Sequence, residues 1–286
     1  MVKIIVTRFG RVEDREATEI VKIMEECYER LKPHEVEFVD LYIFENASVA
    51  DAFMLREGKN VGVVSSPFGE RFFATHDAWR GTPRITVCLE KMRKLPNLVK
   101  IGGVRHEVGH SILHGDLRYY LLHIPPTLLE IAENFNLHRR YLFDLLYLVS
   151  IAVKDYEVSR LLYRSGYLED QVAYISELLT PSSEDEEAWM MARENRLAEA
   201  LYLVSCLKVV GLSIPFLFDG KFGEEIKRHL KASLSHIPER HSEKILGNLI
   251  EGFRLLGEDT LDNIEEMTEL VVREIVKPLL KENRNT

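Results

Sequence analysis

The apolar residues of this 286-residue chain change their period at Gly115. Beyond it, nearly every segment repeats its apolar side chains at three- and four-residue intervals, the mark of amphipathic helices. That period predicts helices at 127–135, 139–164, 169–179, 184–210, 224–234, 239–256 and 259–281. Pro125-Pro126, Gly166, Pro181, Pro215, Gly220 and Pro238 supply the breaks between them. Before Gly115 two periods alternate. Strands are predicted at Val2–Phe9, Val36–Glu45, Asn60–Ser66, Arg71–Trp79 and Arg84–Glu90, rich in β-branched and aromatic residues. Between them Glu13–Leu31 places Ile20, Ile23, Met24, Cys27 and Leu31 at helical spacing. A shorter helix over Ala47–Gly58 ends at Gly58, read as the glycine just past a helix C-terminus. The expected class is α+β: a mixed sheet with helices over 1–116, then an all-helical half over 117–286.

Composition narrows the function. Hydrophobic content of 46% and charged content of 29% are ordinary for a soluble globular chain. A formal net charge of −9 argues against nucleic acid as the main partner, and the cluster Lys91, Arg93, Lys94 reads as a solvated face. Cys27, Cys88 and Cys206 are odd in number and far apart, so they predict neither a disulfide framework nor a cysteine metal site. They read as small buried groups in a reducing compartment. The N-terminal apolar run is too short for a secretion signal. YLFDLLYLVSIAV and LAEALYLVSCLKVV are cut by charge before reaching a membrane span. A cytoplasmic protein without a membrane partner is expected. No glycine-rich phosphate loop is present, so nucleotide binding has no support.

The segment that closes the N-terminal part reads RHEVGHSILHG over Arg105–Gly115, in a helix introduced by Pro96 and Asn97. On a helix, residues four apart lie about 40° apart and one turn along. His106 and His110 can therefore reach one metal ion, and zinc suits neutral imidazole nitrogen at about 2.0–2.1 Å. Glu107 points to nearly the same side without entering the ligand set, where it can take a proton from zinc-activated water. Val108, Ile112 and Leu113 flank the motif with apolar surface, and Gly115 stops the helix. His114 lies about 12 Å of rise from His106, too far to share the ion, so an orienting or capping role is expected. Asp116 stands where a longer metal-binding pattern would put a ligand, but Leu113 replaces the glycine that pattern needs.

A third ligand has to come from a later helix, and Ser150–Arg164 offers Asp155 and Glu157. Asp155 shares its stripe with Leu148, Ala152, Ser159 and Leu162, where a carboxylate is costly unless paired or metal-bound. Glu157 shares a face with Lys154, Arg160 and Arg164, which reads as a surface ion-pair face. Periodicity favours Asp155, with Glu157 as its rival and Glu130, Glu133, Glu169 and Asp170 behind. His76 reads as a loop histidine, Tyr156, Tyr163 and Tyr167 as core or rim, and His229, His236 and His241 as solvent-facing.

HEVGHSILHG resembles the active-site helix of zincin metallopeptidases, and its three-histidine form is similar to that of ImmA/IrrE-type proteins. AYISELLTP (Ala173–Pro181) is similar to a later segment of that family, whose glutamate position falls here on Asp170. The resemblance implies a small mixed sheet whose edge strand runs beside the metal helix. Arg84–Glu90, the last strand before the motif, is the natural edge, where an extended substrate could pair. It also implies a zinc-dependent hydrolase acting on a peptide or protein substrate, with Glu107 as base. The rival expectation is a regulatory or interaction protein whose zinc site is structural or vestigial. The substrate and the oligomeric state are not legible.

Overall fold

The computed structural model describes residues 2–61 and 72–282. The chain divides into two compact units, Met1–Leu121 with Leu161–Tyr174, and Leu122–Arg160 with Ile175–Thr286. The class is α+β: a small mixed sheet near the N-terminus, followed by helices.

In the first unit the order is β1 (Lys3–Phe9), α1 (Asp14–Arg30), β2 (Phe38–Phe44), α2 (Ala47–Val61), β3 (Ala74–Asp77), β4 (Arg84–Cys88), α3 (Leu89–Met92) and α4 (Asn97–Leu113). The sheet order is β1-β2-β4-β3, with β1, β2 and β4 parallel and β3 antiparallel to β4. This corrects one expectation. RITVC is an inner strand, buried at all five positions, and the edge beside it is β3. An unbroken buried run is what a parallel strand covered on both faces requires. Gly58 also does not end its helix, which continues to Val61. The strand expected over Asn60–Ser66 begins inside that helix, and its remainder lies outside the described residues.

Burying β4 buries its first residue. Arg84 stands opposite Asp77 in the β3–β4 register, and its guanidinium donates Nε to Oδ2 at 3.0 Å and Nη2 to Oδ1 at 3.1 Å. Glu57 on α2 accepts from Nη1 at 3.4 Å. The Tyr42, Phe53 and Trp79 rings lie within 5.8 Å of the cation. A charge here is tolerable because its donors are taken by carboxylates.

α1 packs on α4 and buries Ile20, Met24 and Cys27 as expected, with Ala17 and Tyr28 beside them; Leu31 is buried just past the end of the helix, and Ile23 is only half-buried. The Tyr28 hydroxyl meets Ser111 Oγ at 2.6 Å. The opposite end of α4 is held by the chain segment 161–174. Gln171 Nε2 donates to the Gly102 carbonyl at 2.9 Å, and Arg105 pairs with Asp170 at 3.1 Å and Glu26 at 2.8 Å. Tyr167 lies between the Arg30 and Arg105 guanidiniums, each 4.3 Å from its ring centre. At Gly102 a Cβ would stand 2.3 Å from the Asp170 carbonyl oxygen, and at Gly103 2.4 Å from the Phe73 ring. No side chain fits at either place.

The remaining helices are α5 (Pro126–Phe135), α6 (Arg139–Arg164), α7 (Glu169–Leu178), α8 (Ser183–Ala192), α9 (Arg196–Ser205), α10 (Leu207–Leu217) and α11 (Gly223–Ser233). α12 (Glu239–Lys244) passes through a π turn, Ile245–Leu249, into α13 (Ile250–Leu255). α14 (Thr260–Val271) passes through a second π turn, Val272–Val276, into α15 (Lys277–Glu282). The helix expected over 184–210 is instead divided, because Asn195 Oδ1 caps α9 by accepting from the Leu197 and Ala198 backbone amides. Pro215 does not break the chain. It lies inside α10, two residues before its end at Leu217, so the bond its missing N–H removes is one of the last of the helix. With Pro215 included, Arg196–Leu217 is long and apolar enough to cross a membrane, where the shorter sequence stretch is not; 61% of its most apolar stretch is buried within the protein. It reads as core helix.

The glycine contacts make a direct prediction. Gly102→Ala should destabilise the chain by about 1–3 kcal/mol, the usual cost of forcing atoms into a filled space. Ala substituted for Gly220, which has open space around it, should cost far less. Urea unfolding of both variants is the measurement.

Candidate metal centre

α4 carries the histidine motif in its last two turns, and both His106 and Glu107 are buried. The helical spacing has the expected result: His106 Nε2 and His110 Nε2 stand 3.1 Å apart, with the rings nearly perpendicular. Two ligands on one tetrahedral zinc at about 2.0–2.1 Å are separated by about 3.3 Å, so these nitrogens are set at ligand spacing.

The second nitrogen of His110 is engaged too. His110 Nδ1 lies 3.2 Å from Nδ1 of His114, which is fully buried and closes α4 by donating its backbone N–H to the His110 carbonyl at 2.7 Å. If Nε2 offered its lone pair to a metal, Nδ1 of His110 would carry the hydrogen and His114 would accept it. Such a contact fixes both tautomer and ring orientation. His76 is not in a loop but on β3, its ring parallel to that of His110 with centres 6.0 Å apart. Its Nδ1 lies 3.2 Å from the Tyr120 hydroxyl, in the short turn Leu117–Tyr120. Tyr120 escapes sequence reasoning, because no local pattern marks it.

Each of the carboxylates weighed as a third ligand can be placed. Asp155, on α6, is buried, and one donor atom each of His106, His110 and Asp155 lies within 4.8 Å of the others, a group that could hold a metal ion. Glu157 is not on a surface face. It is buried, accepting from Asn263 Nδ2 at 2.6 Å and from the Thr260 hydroxyl at 2.8 Å. Burial raises its carboxyl above the usual range, partly offset by those two donors. Lys154, assigned to the same face, is buried as well, and burial pulls its ammonium down to about 8. Asp170 is tied to Arg105, Asp116 accepts from the Arg118 amide, and Glu130 pairs with Lys277. Glu133 and Glu169 are exposed. Two imidazoles and one carboxylate are a donor set that could hold a metal ion.

Compared with models of protein families, with curated proteins and with solved structures, the chain finds no match.

Glu157 therefore has a structural task that can be measured. Glu157→Ala leaves the Asn263 amide and Thr260 hydroxyl without their acceptor in the interior, a loss of about 1–3 kcal/mol. Chemical denaturation should show this loss, and Asn263→Ala together with Glu157→Ala should cost less than the sum of the two single changes.

Proposed function

We propose that this chain is a zinc-dependent hydrolase of the zincin kind, cleaving peptide bonds, with His106, His110 and Asp155 as the protein ligands. The observation that carries the reading is the pair of imidazole nitrogens at ligand spacing on one helix, with a buried glutamate one residue after the first. Asp155 is preferred to Glu157 because the oxygens of Glu157 already serve Asn263 and Thr260.

When bound, zinc supplies a Lewis acid that polarises a carbonyl and brings the pKa of water toward about 7. The chain supplies the rest. His106 and His110 present lone pairs, and His114 keeps the His110 ring in the tautomer that does so. Glu107 accepts the proton of the attacking water and delivers it to the leaving nitrogen. The burial of Glu107 keeps bulk water from competing for that proton.

Zinc content and peptide hydrolysis test the reading together. Wild-type protein prepared with zinc should hold about one ion per chain, lost in His106→Ala and His110→Ala. Asp155→Ala should weaken zinc binding by about 10-fold or more, while Glu157→Ala should leave it intact. Glu107→Gln should retain the metal and lose about 10²–10⁴-fold in the rate of cleavage across a diverse peptide library. Protein without zinc would end the metal reading. Zinc-loaded protein that cleaves nothing would instead favour a regulatory protein with a structural zinc.

A further inference from the structure

β1 is an outer strand of the sheet, and among the described residues no strand lies on its far side. The Lys3 N–H donates to the Glu37 carbonyl at 2.8 Å, and the Phe9 carbonyl accepts from the Glu45 N–H at 2.9 Å. Backbone groups alternate in direction along a strand. The odd-numbered residues of β1 therefore turn theirs toward β2, and Ile4, Val6 and Arg8 turn theirs outward. Such an edge is a template for another strand, and proteins commonly blunt it with proline, a bulge or projecting charge. β1 has no proline, and its register with β2 runs from Lys3 to Phe9 without a bulge. Its two cations stand toward its ends and are engaged, Arg8 by Asp14 at 2.6 Å and Lys3 over the Phe38 ring at 5.9 Å. Between them Ile5 is 44% and Val6 38% exposed.

The order of residues in β1 selects what can pair with it. Two antiparallel copies related by a two-fold axis through the sheet keep every residue on its own face, so odd positions meet odd and even meet even. Lys3 and Arg8 are on opposite faces, and no such axis sets one against the other. An axis at Ile5 sets Ile5 against Ile5, Ile4 against Val6 and Lys3 against Thr7. Ile4 and Val6 carry outward backbone groups, so they become hydrogen-bonded pairs in this register. They also share a face with Val39 and Leu41, their fully buried neighbours on β2. The apolar row Val39–Ile4 thus runs on into Val6 and Leu41 of the second copy. An axis at Val6 would instead set Arg8 against Ile4 and Lys3 against Phe9, charge against hydrocarbon.

We propose that β1 pairs antiparallel with β1 of a second copy of this chain about a two-fold axis at Ile5, joining two four-stranded sheets into one. An unrelated extended segment would have to bring apolar side chains on both faces and uncharged ones opposite Lys3. The second copy brings both in register. The pairing does not rest on the metal reading.

Sedimentation equilibrium of the full chain should show a reversible dimer. Ile5→Lys and Ile5→Glu each set like charges against themselves at the axis, and each should weaken self-association by at least about 10-fold. Mixed in equal amounts the two variants should associate, because opposite charges then face each other. Far-UV circular dichroism checks that each variant folds. Ile5→Cys puts two sulfurs at a non-hydrogen-bonded pair with Cα atoms about 4.5 Å apart, within reach of a disulfide, and should oxidise to a covalent dimer. Val6→Cys sets its two Cα atoms more than about 7 Å apart and should not. A wild-type chain that stays monomeric at the highest soluble concentration overturns the proposal, as does a dimer that survives in both folded charge variants. Failure of the mixture to associate, or disulfide formation at Val6 equal to that at Ile5, overturns the register.

Discussion

The absence of side chains at Gly102 and Gly103 governs how α4 is placed. With the Asp170 carbonyl and the Phe73 ring inside the space a Cβ would fill, α4 has one rotational setting in which its first turns fit. A helix advances about 100° per residue, so fixing the azimuth of residues 102 and 103 fixes that of 106, 107 and 110 as well. Gln171 and Asp170 lock this end through the Gly102 carbonyl and Arg105, and Tyr28 holds the other through Ser111. The spacing of the two imidazoles comes from the helix itself, but the side to which both of them turn depends on its not rolling. The placement of the two imidazoles thus starts a full turn before His106.

The parts of this arrangement legible in the sequence are those set by local geometry. The i, i+4 histidines, the apolar face of α1 and the 26 residues of α6 follow from a period, and the structure has them. Periodicity says which residues share a face. It does not say whether that face is covered. Lys154, Glu157 and Arg160 do recur as a charged stripe, yet Glu157 is enclosed by Thr260 and Asn263, more than a hundred residues away in sequence. His241 departs from expectation for the same reason, its carboxylate partner lying on another helix. The edge strand departs because order in a sheet depends on where β3 inserts, and a strand running against its neighbours takes a position that chain order does not dictate.

Asp155 shows the same reasoning from the other side. Its stripe of small and apolar neighbours predicts a carboxylate with a particular partner, and Asp155 is one of a group, with His106 and His110, that could hold a metal ion. Asp170, the position that the likeness to ImmA/IrrE-type proteins singles out, is tied to Arg105.

The Asp77–Arg84 pair has a bearing on descent. Asp77 without Arg84 would be a charge stranded in the interior at a cost of about 3–5 kcal/mol, and Arg84 without Asp77 would keep only the longer contact to Glu57, whereas two apolar residues together can be nearly neutral. Divergence at these positions therefore has to cross a valley or take both steps at once. Among distant descendants of this chain, the two sites should be inherited as a single character: both charged, or both not.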